Sequence, residues 1–209
     1  MTGRNQNFTL WNPYESLYTE FGFDSRSLGW SKAGQNARFN RILDLHNFKE
    51  AKLLDIGSGF SDFLFFLLEN GINLKVYTGI ENYFPFFQIG FNRINSLHNY
   101  NYKVLNSSWE NLSSDSKFEI TIAIGTFNFK VDDNYNLILN FIEDIINKTN
   151  DILIISLLSA KAPKAIREVS KDKFFYDPNH LSKLLLGRGF SFQIIDDYLP
   201  HDFMLKIRK

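Results

Sequence analysis

Continuous apolar runs, separated by amphipathic stretches, recur along this chain, and that alternation constrains the fold more than any other feature. FEITIAIG (118–125) and DILIISLL (151–158) are the kind of strand buried on both faces. Between them, DNYNLILNFIEDIINK (133–148) brings Leu137, Phe141 and Ile145 round every four residues, which predicts a helix with one apolar stripe. Upstream, AKLLDIG (51–57), LKVYTGI (74–80) and the weaker YKVL (102–105) read as strands. Helices are expected over 34–47, 61–70 and 83–97, with Ser61 capping the second, Gly71 ending it, and Pro85 in the first turn of the third. Asp177 and Pro178 start a last helix that runs to about Leu186. SFQIIDDY and FMLKIRK flank the turn LPHD (199–202) and predict an antiparallel hairpin.

The fold class is therefore α/β: a Rossmann-like, doubly wound, mostly parallel sheet with helices on both faces and a C-terminal antiparallel hairpin. Residues 1–31 read as irregular and 159–176 as a charged excursion. Two parts are expected, an irregular cap over 1–33 and the main domain over 34–209.

Composition removes several function classes. The 209 residues contain no cysteine, so disulfides, thiolate metal sites and a cysteine nucleophile are excluded, and no metal site is expected. Lys+Arg and Asp+Glu balance at 23 each, so no global field steers the chain to nucleic acid or an anionic membrane. No run approaches the roughly 18 apolar residues of a membrane span, and the first residues lack a signal peptide's apolar segment. A soluble, cytoplasmic protein is the expectation. Aromatics at 16% suggest aromatic-lined pockets as well as core.

In a doubly wound sheet the ligand lies at the carboxyl ends of the strands, near the point where strand order reverses. KLLDIGSGFSDF (52–63) falls at such an end, with Gly57 and Gly59 flanked by Asp55 and Asp62. A nicotinamide fingerprint wants a third glycine where Asp62 stands. Pyrophosphate would meet two carboxylates there, and a like-charge pair near 4 Å costs roughly 4 kcal/mol at an effective dielectric of ~20. A P-loop is excluded, because no Gly-Lys-Ser/Thr follows. Glu81 closes the second strand and is placed to accept hydrogen bonds from ribose hydroxyls. Together the glycine turn and Glu81 read as a nucleoside site without a phosphate requirement, better suited to a cation.

D-I-G-S-G, followed by an acid after the second strand, resembles the class I S-adenosylmethionine-dependent methyltransferases, and the resemblance spans roughly residues 34–209 in element order. It implies S-adenosylmethionine as cofactor, with Asp55, Gly57, Ser58 and Gly59 carrying its methionine part, Glu81 its ribose, and Asn82 touching the adenosine. Ser108 stands where the family usually places an acid in its adenine loop, with Trp109 beside it. IGTFNF, including Gly125, falls where the family borders the transferred methyl. RSLGW and DYLPHDF resemble segments that occur together in small bacterial methyltransferases of unassigned substrate.

Outside the glycine turn, Arg26 is a candidate for the cofactor carboxylate and Trp30 for covering the sulfonium through a cation–π contact. His201, next to Asp202, is the acid–base candidate, although adjacent strand residues point oppositely unless the turn bends. Asn128 is a candidate for a substrate hydrogen bond. His180, at a helix start, reads as structural. The basic cluster Lys161, Lys164, Arg167, Lys171 and Lys173 reads as a solvated face or as a greeting for an anionic substrate. The expected partner is a small molecule, methylated at a hydroxyl or carboxyl, without nucleic acid or membrane. A nicotinamide oxidoreductase, a non-catalytic cofactor-binding module and a protein-substrate methyltransferase stay open as alternatives.

Overall fold

The structure is a computed structural model that describes residues 13–209. The reading of residues 1–12 as irregular lies outside the described residues. From Pro13 the chain corrects the irregular reading. Tyr14, Leu17, Tyr18 and Phe21 fall at helical spacing, and helix α1 (Pro13–Phe21) forms on that stripe. A 3-10 turn (Ser25–Leu28) follows, capped by the Asp24 side chain. Helix α2 (Lys32–Leu45) starts two residues earlier than expected, because Ser31 accepts a hydrogen bond from the Gly34 amide and caps it.

Strand β1 (Lys52–Ile56) leads into helix α3 (Asp62–Glu69), and strand β2 (Val76–Glu81) into helix α4 (Phe84–Ser96). Strands β3 (Tyr102–Asn106) and β4 (Phe118–Ile124), helix α5 (Asn134–Ile146) and strand β5 (Thr149–Leu158) complete the parallel part. Ser61 does not cap α3. It lies in the left-handed region with φ 61° and makes no capping bond, so the glycine turn runs on through it. The charged excursion is partly ordered into a short helix, α6 (Lys164–Val169), and its segment 172–174 bonds back to 128–130. Helix α7 (Pro178–Gly187) is capped by Asp177, whose carboxylate accepts from the Asn179 and His180 amides. His180 is thus part of a helix start, ring-packed on Tyr135.

Strands β6 (Phe192–Ile195) and β7 (Asp202–Arg208) form the antiparallel hairpin, with β7 inserted between β5 and β6. The sheet order is β3-β2-β1-β4-β5-β7-β6. Alternate residues of each strand feed two cores, because side chains of a strand point to opposite faces. Leu53, Ile122 and Met204 join Phe39, Phe63 and Leu67 of α2 and α3 on one face. Leu54, Ala123 and Phe203 join Ile138, Phe141 and Leu181 of α5 and α7 on the other. Each fully buried large side chain contributes about 1.5–3 kcal/mol, so both helical layers are held firmly against the sheet. Strand order reverses between β1 and β4, and their carboxyl ends open a crevice there. Among the described residues, no helix is long and apolar enough to cross a membrane.

Candidate functional site

The crevice begins with a turn that only glycine builds at its first position. Gly57 has φ 68°, and a Cβ there would lie 2.5 Å from Thr126 Oγ1. Thr126 is held in place by donating to the Ile56 carbonyl at 2.8 Å. The Gly57 and Ser58 amides both donate to the Ile80 carbonyl, at 2.8 and 3.0 Å, which lays the turn across the end of β2.

Two buried acids stand on either side of this turn. Glu81 accepts from the Gly59 amide at 2.8 Å through Oε2 and from the Tyr83 amide at 2.8 Å through Oε1. It therefore ties the glycine turn to the start of α4. Burial pushes its carboxyl above the usual range, and those amides pull it back. Asp55 accepts from the Tyr77 hydroxyl at 2.9 Å. Burial raises its carboxyl to about 7, the Tyr77 bond opposes the rise, and the charges of Glu81 and Asp62 add to it. Asp62 is neutralised locally: Arg93 reaches it at 2.6 Å and Gln35 at 2.8 Å. Tyr77 and Arg93 are not marked by any sequence motif. Tyr77 alternates inward on a strand like any core residue, so only its contact with Asp55 reveals its role.

Asp55, Gly57, Ser58, Gly59 and Glu81 line one cavity of about 180 Å³. Trp30, Asn82 and Gly125 also line it. Ser108 and Trp109 line a second cavity of about 200 Å³, which shares Gly57, Asn82 and Thr126 with the first. A third, of about 330 Å³, shares Tyr14, Leu28, Trp30 and Gly125 with the first and adds Arg38, Asn128, Lys173 and His201. Trp30 and Gly125 stand in the partition, with Tyr14 and Leu28. Gly125 has φ 70°, and a Cβ on it would lie 2.7 Å from the indole. Trp30 also stacks under the Arg38 guanidinium at 5.2 Å.

Two candidates sit elsewhere. Arg26 lines none of these three cavities. Its guanidinium forks onto Asp24 at 2.9 and 3.2 Å, holding that carboxyl down at about 2, and packs over the Phe21 ring. The 3-10 turn sets Asp24 two residues before it, so the local partner captures it. Asp202 is also corrected as an acid–base group. It is buried, forms an ion pair with Arg38, accepts from the Tyr198 hydroxyl at 2.5 Å, and lines none of the three cavities. It makes no hydrogen bond to His201.

His201 faces the third cavity alone, with Nδ1 buried and without a partner. Burial and the nearby Arg38 charge lower its pKa, so the ring is neutral at pH 7. Asn128 accepts from the Leu158 amide at 3.0 Å through Oδ1. That bond assigns its Nδ2 as the group left for a ligand.

No family model matches this chain, and neither does any curated protein. Solved structures do match its fold. A S-adenosylmethionine-dependent methyltransferase from Clostridium acetobutylicum superposes with TM-score 0.67 at 11% identity, over 91% of this chain and 98% of that one. The DhpI–SAH complex gives TM-score 0.66 at 14% identity, over 93% and 92%. Magnesium protoporphyrin IX methyltransferase (ChlM) from Synechocystis with bound SAH gives TM-score 0.64 at 12% identity, over 94% and 92%. The fold is that of the class I methyltransferases.

Proposed function

We propose that this chain is an S-adenosylmethionine-dependent methyltransferase that moves a methyl group to a hydroxyl or carboxyl of a small molecule such as a sugar or secondary metabolite. The observation that carries this reading is the placement of two buried acids, Asp55 and Glu81, around a glycine turn at the switch point, beside a larger cavity that shares Trp30 and Gly125. Solved proteins of the same fold are described with SAM or SAH bound, which supports the cofactor. The balanced charge of the chain supports a small molecule over nucleic acid as acceptor.

The residues fit the cofactor. A Cβ at Gly57 would collide with Thr126 in the wall of the cradle, and the acids in so small a cavity favour a positively charged ligand. Asp55, Gly57, Ser58 and Gly59 would hold the methionine part, Glu81 the ribose, and Asn82, Ser108 and Trp109 the adenosine end. When bound, S-adenosylmethionine supplies a methyl already activated by its sulfonium. The chain's own work is alignment and exclusion of water, and orientation alone supplies ~7–11 kcal/mol in well-placed systems. Trp30 covers the boundary between the two cavities. Neutral His201 is in the protonation state that takes a proton from a hydroxyl acceptor, whereas a carboxylate acceptor needs no base.

Calorimetric titration with S-adenosylmethionine, S-adenosylhomocysteine and NAD tests the cofactor. Preference for the first two is expected, and tighter binding of NAD would replace the reading with an oxidoreductase. Cofactor binding without labelled methyl transfer to any acceptor pool would leave only a binding module.

A further inference from the structure

Resting on the methyltransferase reading, we propose that the 330 Å³ cavity takes an organic acid as acceptor, with the Lys173 ammonium binding the acid's carboxylate. The charges of the two cavities that meet at Trp30 and Gly125 are opposite. Asp55, Asp62 and Glu81 line the 180 Å³ cavity, while no Asp or Glu lines the 330 Å³ one. What faces the 330 Å³ cavity is a set of donors that includes Lys173, Arg38, Asn128 and His201.

These donors are not equally available. Arg38 is neutralised by a close buried pair with Asp202, which leaves Lys173 as the less firmly paired cation of the wall. Its only ion partner among the described residues is the neighbouring Asp172 at 4.0 Å. Its side chain is only 17% exposed, and Nζ lies 3.1 Å from the centroid of the Phe129 ring. Lys173 is also held in place. Its residue bridges Phe129, the Phe174 amide donates to the Asn128 carbonyl at 2.8 Å, and the Lys130 amide donates to the Asp172 carbonyl at 2.9 Å. Burial lowers its pKa to about 8, and the Asp172 charge offsets only part of that.

The ligand class follows from this count. One ammonium held only by the long Asp172 contact matches a monoanion, and a carboxylate also accepts from the Asn128 Nδ2. A phosphate dianion would keep a surplus charge in a partly buried site. Leu28, Trp30, Ile166, Phe175 and Leu199 form an apolar wall that suits the hydrocarbon or aromatic body of such an acid.

The test is calorimetric. SAH-saturated protein is titrated with benzoate and hexanoate, with their primary amides, and with phenyl phosphate. Each acid should bind at least about tenfold more tightly than its amide. Lys173→Gln should erase that preference while SAH affinity stays unchanged, and Lys173→Arg should retain it. The proposal is overturned if neither acid binds at millimolar concentration, if acid and amide bind equally, if phenyl phosphate binds best, or if Lys173→Gln keeps the preference. Should SAH itself fail to bind, the methyltransferase reading falls, and the same titrations on the free protein still decide the anion preference of the cavity.

Discussion

Asp55 couples the site to pH. Its carboxyl is raised from 3.8 to about 7, so between these values the folded chain holds a proton that the unfolded chain has lost. Its contribution to the stability of the free protein is therefore full below pH ~4 and declines as pH rises to about 7. Asp55→Asn removes that decline. The variant should gain melting temperature over wild type progressively from pH 5 to pH 8, and thermal unfolding at several pH values measures this. A cationic ligand favours the ionised form, so cofactor affinity should rise with pH up to about 7. Below that pH, binding should release a proton, visible as a dependence of the calorimetric heat on the buffer's ionisation enthalpy. Glu81 behaves differently, because both its oxygens accept backbone amides. Glu81→Gln turns an NH2 group toward one of those donors, and a buried unsatisfied donor costs about 1–3 kcal/mol. A loss of stability of that order, together with weaker S-adenosylhomocysteine binding, is expected from denaturation and calorimetry. For a hydroxyl acceptor, His201→Ala should depress turnover and leave cofactor affinity nearly constant. Unchanged turnover would remove this ring from the mechanism.

Among elements, the decisive joint lies between α2 and the C-terminal hairpin. Arg38 and Asp202 are 164 residues apart in sequence, yet they form a buried ion pair that Tyr198 completes. This pair fixes the guanidinium under Trp30, and so sets the partition between the two cavities. Removing one partner strands a buried charge, so Arg38→Met should destabilise by about 3–5 kcal/mol in urea unfolding. The double variant Arg38→Met/Asp202→Leu should recover most of that loss, since a well-packed apolar pair replaces a buried ion pair at little cost. Much of the architecture around this joint is legible in the sequence. The buried strands β4 and β5, the stripe of α5 and the Asp177 cap of α7 announce themselves through periodicity and capping chemistry. Helix α1 did not, because its aromatic and polar residues hide a helical stripe within a stretch that looks loop-like. Ser61 was misread because a serine before an apolar run is the usual cap, and only the left-handed turn denies it that role.

At the scale of the whole molecule, three adjoining cavities are walled by segments from both ends of the chain. Trp30 and Leu28 come from the N-terminal turn, Asn128 and Lys173 from the loops beyond β4 and β5, and His201 from the hairpin. A ligand that contacts several of these walls should order them together. Saturation with S-adenosylhomocysteine at one hundred times its Kd should add about 2.7 kcal/mol of stability. Amide exchange over residues 24–35 should slow at the same time. Exchange unchanged there would show that the N-terminal turn takes no part in binding. The amino-acid sequence by itself determined the order and type of most elements, the glycine turn, and the acids at the ends of β1 and β2. Those properties follow from side-chain period and from backbone geometry, which act over a few neighbouring residues. Only the tertiary structure decided that Asp202 serves Arg38, that Tyr77 holds Asp55, and that Lys173 faces a cavity without acids. Those outcomes depend on which distant side chains packing brings within hydrogen-bond or charge–charge range, a distance that no local pattern encodes.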